Sequence, residues 1–133
     1  PRTLLHGDYK FAHLGSIDGP RTVMLDWTLA TLGPPLFDLG WFLAVNSARL
    51  SVPKEEVIQI YRASLAAHGY RYPAEDWTRD LELGLLAGGA MRLMWPKALG
   101  SQADDAAVRA RETAELQWWS EQIIRAGRWL ASF

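Results

Sequence analysis

The sequence predicts an α+β fold that is mainly α: a short β-and-loop region over residues 1 to about 33, then a helical remainder. Three observations carry this. Two short strand candidates, Leu14–Ile17 and Thr22–Leu25, flank Asp18-Gly19, a strong hairpin turn signal. Gly33-Pro34-Pro35 is a break, and beyond it apolar residues recur at helical spacing. The composition is that of a globular chain, with 49% hydrophobic and 22% charged residues. A length of 133 residues suits one domain, spanning 1–133, and is short for two.

Each element follows in chain order. Thr3-Leu4-Leu5 is a short strand candidate. His6 to His13 is polar and mixed, hence a loop. The hairpin comes next, with Pro20 limiting pairing just after its turn. After the break, Leu36, Leu39, Leu43, Asn46 and Leu50 follow helical spacing. Pro53 with Lys54-Glu55-Glu56 reads as a helix start with acid in its first turn. That helix carries Val57, Tyr61, Leu65 and His68 on one stripe and ends at Gly69, where His68 suits the C-terminal dipole. Pro73-Ala74-Glu75 starts a third helix that runs to about Met94 and is closed by Trp95-Pro96. Its middle is apolar nearly all round, so it should be buried, and Gly88-Gly89 suggests a close helix–helix approach despite a propensity cost of about 1 kcal/mol each. The last helix spans about Asp104 to Leu130, with Leu116, Trp119, Ile123, Ala126 and Leu130 as its docking stripe. Seven Trp make the interior aromatic-rich, and Trp41, Trp77, Trp118, Trp119 and Trp129 read first as packing residues.

Charge and cysteine usage exclude several classes. Lys plus Arg total 14 and Asp plus Glu total 15, a net charge of −1 with no block of like sign. That balance argues against a nucleic-acid partner and against a polybasic membrane surface. The longest apolar run, Leu83 to Met91, is far short of a membrane span. With no cysteine there is neither a disulfide frame nor a thiolate metal site. These features fit a reducing, cytoplasmic setting. The N-terminus has no apolar signal segment and no initiator Met, so the chain is expected to be cut from something longer.

The informative residues lie in the first forty. His6-Gly7-Asp8 follows a strand, Lys10 and His13 come two and five places after Asp8, and Asp26-Trp27 follows the hairpin. With a four-residue loop over 18–21, Ile17 would face Thr22, Leu14 would face Leu25 and His13 would face Asp26. Directly opposed residues have Cβ atoms about 5 Å apart, so His13 and Asp26 should converge. Asp26 with a second donor can hold a divalent cation, Asp8 can act as a base toward a hydroxyl, and Lys10 can neutralise a phosphate oxygen. That is a set for phosphoryl transfer, in which positioning and charge stabilisation do most of the work.

Leu5-His6-Gly7-Asp8-Tyr9-Lys10-Phe11-Ala12-His13-Leu14, then Leu25-Asp26-Trp27, then Gly33-Pro34-Pro35-Leu36-Phe37-Asp38-Leu39, resembles the aminoglycoside/choline phosphotransferase family, of the protein-kinase-like fold. The resemblance covers residues 4 to about 43 and implies the C-terminal lobe of that fold: hairpin and catalytic loop, then a helical bundle. It implies that Asp8 is the catalytic, hydroxyl-orienting carboxylate and that Lys10 stands near the transferred phosphate of the nucleotide. Asp26 would be the metal-binding Asp. His6 would orient the loop, and Asp38, at a helix start, would accept backbone N–H bonds from it. The cofactors implied are Mg²⁺ and ATP, and the partner is a small molecule bearing a hydroxyl. Later acids, Glu75, Asp76, Asp80 and Glu82, are candidates for a cationic substrate, and a solvated helix face explains them as well.

Two departures stand out. The family usually has Asn, a metal ligand, where this chain has His13, and Mg²⁺ prefers oxygen to imidazole. No Gly-rich phosphate loop precedes the first strand. The expectation is therefore a C-terminal lobe whose nucleotide-binding N-terminal lobe is absent from this chain, inactive on its own. Two other readings stay open: a metal-dependent hydrolase using His6, Asp8, His13 and Asp26 as ligands, and a pseudoenzyme or helical interaction module.

Overall fold

A computed structural model describes residues 2–131. The strands are β1 (Thr3–Leu5), β2 (Leu14–Ile17), β3 (Arg21–Met24) and β4 (Thr31–Gly33). The helices are α1 (Leu36–Val45), α2 (Lys54–Ala67), α3 (Ala74–Gly84), α4 (Met91–Gly100) and α5 (Ala106–Leu130), with a π-helical turn, Leu85–Ala90, joining α3 to α4. The fold is thus mainly α, with two small antiparallel ribbons, β1–β4 and β2–β3, at the N-terminal side.

The ribbons depart from the sequence expectation in two ways. β4 was unforeseen: Thr31-Leu32-Gly33 pairs with β1, Thr3 against Gly33 and Leu5 against Thr31. Its three residues sit directly before the Pro pair, too short to show alternation. The hairpin register is also one residue off. Leu14 pairs with Met24 and Ile17 with Arg21, leaving only 18–20 in the turn. Asp18 and Gly19 both take left-handed φ, +48° and +86°, and this closes the chain in three residues. Arg21 therefore joins the strand, and the residue opposite His13 is Leu25, whose N–H donates to the His13 carbonyl at 2.8 Å.

The core is built around α1. Leu36 and Leu43 are fully buried, and Leu39, Phe42 and Ala44 nearly so. At about 1.5–3 kcal/mol for each large side chain removed from water, this one helix supplies a substantial part of the burial energy. The end of α3 and the π turn cross it at backbone contact. A Cβ on Gly40 would lie 2.4 Å from the Gly84 carbonyl oxygen, and one on Gly88 would lie 2.0 Å from that of Phe37. These glycines are required by the approach, and Trp119 of α5 fills the far side against Gly89.

Other boundaries moved for identifiable reasons. α1 stops at Val45, and Asn46 caps it instead of continuing the helix to Leu50. The third helix does not close at Trp95-Pro96: after the π turn, α4 passes through Pro96 to Gly100. Beyond that proline, Lys97 is anchored to Glu112 of α5 at 3.1 Å and to Ser47 at 2.8 Å, and this tertiary hold outweighs the lost backbone bond. On α5, Asp105 caps the start by accepting from the N–H groups of Ala107 and Val108, a contribution of about 1 kcal/mol. Trp119 and Ala126 of its expected stripe are buried, but Leu130 is exposed. Polar Glu112 and Gln122 take buried places on that face instead.

Candidate functional site

The loop from His6 to His13 is shaped by α1, one residue after another. Asp38, in the first turn of α1, accepts the N–H of His6 at 2.6 Å and of Gly7 at 3.0 Å. Trp41 donates its indole N–H to Asp8 Oδ1 at 2.8 Å. Phe42 packs on the rings of Tyr9 and Phe11, each with a centroid separation of 5.0 Å. Asn46 Oδ1 accepts the N–H of Phe11 at 3.1 Å. Positions 38, 41, 42 and 46 lie on one helical face. Gly7 is needed where it stands: φ is +80° and a Cβ would meet the Leu29 carbonyl oxygen at 2.3 Å.

His6 is buried, and both its ring nitrogens are taken by backbone. Nε2 lies 2.8 Å from the Leu25 carbonyl oxygen and so carries the hydrogen, while Nδ1 accepts the Asp8 N–H at 3.2 Å. Its ring also packs against Trp27, with centroids 4.9 Å apart. His6 therefore links the loop to the end of the hairpin and has no lone pair left for a metal.

Asp8 is held on both oxygens, Oδ1 by Trp41 and Oδ2 by the Lys10 ammonium at 2.6 Å. Burial pushes its carboxyl up, but the hydrogen bonds from Lys10 and Trp41 outweigh this and hold it below the ordinary carboxylate value. His13 lies beside it. Its Nδ1 is 3.0 Å from the Asp8 carbonyl oxygen and so carries a hydrogen, and its Nε2 lies 3.5 Å from Asp26 Oδ2. Asp26 takes φ +60°, an uncommon conformation for a side-chain-bearing residue. The Thr28 hydroxyl donates to its Oδ1 at 2.6 Å and holds its carboxyl below the ordinary range. His13 and Asp26 thus converge through this left-handed residue and not through direct cross-strand pairing.

Asp26 Oδ2 and His13 Nε2 are the donors available to a cation. Among the described residues no three His, Cys, Asp or Glu side chains form a metal-ligand group, so the four-ligand hydrolase site anticipated as an alternative is not assembled. A carboxylate that is half exposed suits Mg²⁺, which is commonly held by one or two carboxylates, waters and substrate phosphates. The donor set fits a nucleotide-bound cation and not a self-sufficient metal centre.

Sequence reasoning missed three supports: Trp41, Asn46 and Arg92. Trp41 was read as packing and Asn46 as part of an apolar stripe. Arg92, at the start of α4, stacks its guanidinium 3.7 Å from the centroid of the Trp41 ring and donates to the Gly7 carbonyl oxygen at 3.3 Å. The available signal was the set of hydrogen-bonding side chains at 38, 41 and 46 on an otherwise apolar helix. Of the later acids, Asp76, Asp80 and Glu82 are engaged elsewhere, and Glu75 is exposed. Glu82 is buried and accepts from Arg128 at 2.8 Å and Trp129 at 2.6 Å, which removes it as a substrate ligand. Asp80 accepts from Tyr72 and Arg79, and Asp76 from Arg79. A pocket under the loop is lined by Leu5, His6, Tyr9, Trp27, Asp38 and Tyr61; Asp8, Lys10, His13 and Asp26 are not part of its wall.

Compared with known proteins, residues 1–83 match the family model described as the phosphotransferase enzyme family. No curated protein and no solved structure matches the chain. No helix among the described residues is long and apolar enough to cross a membrane.

Proposed function

The chain belongs to the phosphotransferase enzyme family, and from that premise we propose that it is the C-terminal lobe of a kinase-like enzyme that transfers the γ-phosphate of ATP to a hydroxyl of a small molecule. The observation that carries this reading is the Asp8 carboxylate, fixed at one oxygen by Trp41, with Lys10 on the other and Asp26 beyond His13.

Asp8 Oδ2 receives the acceptor hydroxyl as a hydrogen-bond donor and takes its proton as the oxygen bonds to phosphorus and the nucleoside diphosphate leaves. A carboxylate held below its ordinary pKa is a weak base. That suits a loose transition state in which the proton moves late and orientation matters most. Lys10, paired with the same oxygen, turns to a phosphate oxygen when the acceptor displaces it. Asp26 and His13 are the residues that would hold Mg²⁺, which when bound neutralises charge on the nucleotide phosphates.

The test joins this chain to a nucleotide-binding N-terminal lobe and supplies MgATP with a panel of sugars, amino alcohols and aminoglycosides. Phosphorylation of one class is expected, with Asp8→Ala and Asp26→Ala each lowering turnover by at least ~10²-fold. The chain of 133 residues alone is expected to show no transfer. An Asp8→Ala protein as active as its parent would refute the assignment. A folded, nucleotide-binding protein inert toward every acceptor and toward water would favour the pseudoenzyme reading.

A further inference from the structure

Two groups around the loop take no direct part in the chemical step above: the indole N–H of Trp41 and the guanidinium of Arg92. We infer that Trp41, braced by Arg92, is a positioning residue that fixes the orientation of the Asp8 carboxylate for reaction. This rests on the phosphotransferase reading for its consequence but not for its geometry.

The argument begins with the freedom of an aspartate in a loop. A carboxylate on a short side chain rotates about two bonds, and the Lys10 contact alone does not stop it, because Lys10 is itself a long, flexible side chain on the same loop. Trp41 is different. It sits on α1, whose neighbours Leu39, Gly40 and Phe42 are buried, and its donor points at Oδ1 at 2.8 Å. A rigid bicyclic ring on a packed helix fixes one oxygen in space and so fixes the direction of the other. The indole N–H can only donate, so the bond is made to the ionised acid without competition for its proton.

The ring is in turn clamped. Arg92 lies over it at 3.7 Å and reaches past it to the Gly7 carbonyl oxygen at 3.3 Å. Arg92 comes from the first turn of α4, directly after the π-helical Leu85–Ala90. In the same turn, Gly88 lets the backbone touch that of Phe37 and Trp41, where a Cβ would come within 3.1 Å of the Trp41 backbone nitrogen. The π turn therefore sets the backbone at Trp41 and the stacked cation holds its ring, and that ring acts on Asp8. The charged and titratable groups facing Asp8 are Lys10 and His13 on its own loop and Asp26 beyond β3, while Arg92 of α4 meets the Trp41 ring and the Gly7 carbonyl instead. Only Trp41 meets it as a rigid neutral donor.

Misplacing a reacting group by about 1 Å can lower turnover by up to about 10²-fold, so the loss expected on removing this donor is ~10- to 10²-fold. The test has two arms. In the first, ¹⁵N-labelled chain is examined by NMR at neutral pH, and the Trp41 indole resonance is identified by its disappearance in Trp41→Phe. It should lie downfield and exchange slowly in the parent, move upfield and lose protection in Asp8→Ala, and move less, in the same direction, in Arg92→Ala. An indole signal unchanged by Asp8→Ala overturns the inference, and because Asp8 is outside the core that variant should fold even if Trp41→Phe does not. In the second arm, with the nucleotide lobe present and MgATP hydrolysis to water as the probe reaction, Trp41→Phe should lower kcat ~10- to 10²-fold and leave KM for MgATP unchanged. A parent-like kcat in Trp41→Phe would overturn the positioning role even with the hydrogen bond in place. If Asp8→Ala also retains full turnover, the phosphotransferase reading itself fails, a result separable from the first arm.

Discussion

Asp38→Ala is expected to destabilise the chain more than any other single change at the loop. Its two oxygens accept two different backbone N–H groups, those of His6 at 2.6 Å and Gly7 at 3.0 Å. Hydrogen bonds to a charged acceptor contribute about 1.5–3 kcal/mol each, and a buried donor left without a partner costs a further share of its desolvation. His6 is 3% exposed, so water cannot reach its N–H without opening the loop. Gly7 is buried as well, so its N–H too is left without a partner unless the loop relaxes. The expected loss is about 2–4 kcal/mol. For a chain of 133 residues each kcal/mol moves the melting temperature by roughly 3–5 °C, so the transition should fall by about 10 °C. Thermal unfolding followed by circular dichroism, with a urea titration to confirm an unchanged m-value, measures it. Asp38→Asn, which keeps one acceptor oxygen and loses the charge, should fall between the parent and Asp38→Ala. A melting temperature for Asp38→Ala within about 2 °C of the parent would show that the carboxylate is not what holds the loop to α1.

Three further outcomes are expected. Gly40→Ala places a Cβ 2.4 Å from the Gly84 carbonyl oxygen and should cost about 1–3 kcal/mol by forcing α1 from the end of α3; an unchanged melting temperature would mean the crossing is looser than described. His13→Asn puts an oxygen donor beside Asp26 and, with the nucleotide lobe present, should keep or raise activity and tighten the Mg²⁺ requirement, whereas abolished activity would show a specific role for imidazole. Glu55 accepts the Trp118 indole N–H at 2.6 Å, and that bond holds its carboxyl below the ordinary value. The stability from this pair is present above the unfolded-state pKa of about 4.3 and is lost as pH falls through the lower folded-state pKa, so the melting difference between parent and Trp118→Phe should shrink from pH 7 into strong acid; a constant difference would leave only packing.

The elements that were legible in the sequence are those with local causes. Asp18-Gly19 marked a turn because left-handed φ favours those residue types, and α2 is bounded by Pro53 and Gly69 because one fits a helix start and the other a left-handed stop. What was illegible depends on partners distant in sequence. β4 exists because β1 lies beside it, and nothing within Thr31-Leu32-Gly33 says so. Pro96 sits inside a helix because Lys97 is tied to α5 and to Ser47. The register error shows how fine the margin is. One residue more or less in the turn decides whether His13 opposes Leu25 or Asp26, and Arg21 has no feature that excludes it from either role. His13 and Asp26 meet even so, because Asp26 takes a left-handed φ that no spacing rule anticipates.

The same distinction explains why the candidate chemistry was readable but its control was not. Asp8, Lys10, His13 and Asp26 announce themselves by type and spacing within a few residues. The groups that orient them come from α1 and α4, and they run in step with the loop: Asp38 meets His6 and Gly7, Trp41 meets Asp8, and Asn46 meets Phe11. A loop of this length cannot hold a reactive geometry through its own contacts, because each residue ordered costs about 1–2 kcal/mol of backbone entropy. A helix that offers a partner every turn supplies the missing constraint. Its own rigidity comes from the glycine-lined crossing at Gly40, Gly84 and Gly88. Precision at Asp8 therefore depends on packing several residues away from any reacting atom, and a change at Gly40 that leaves every candidate catalytic side chain intact should still loosen the carboxylate on which they converge.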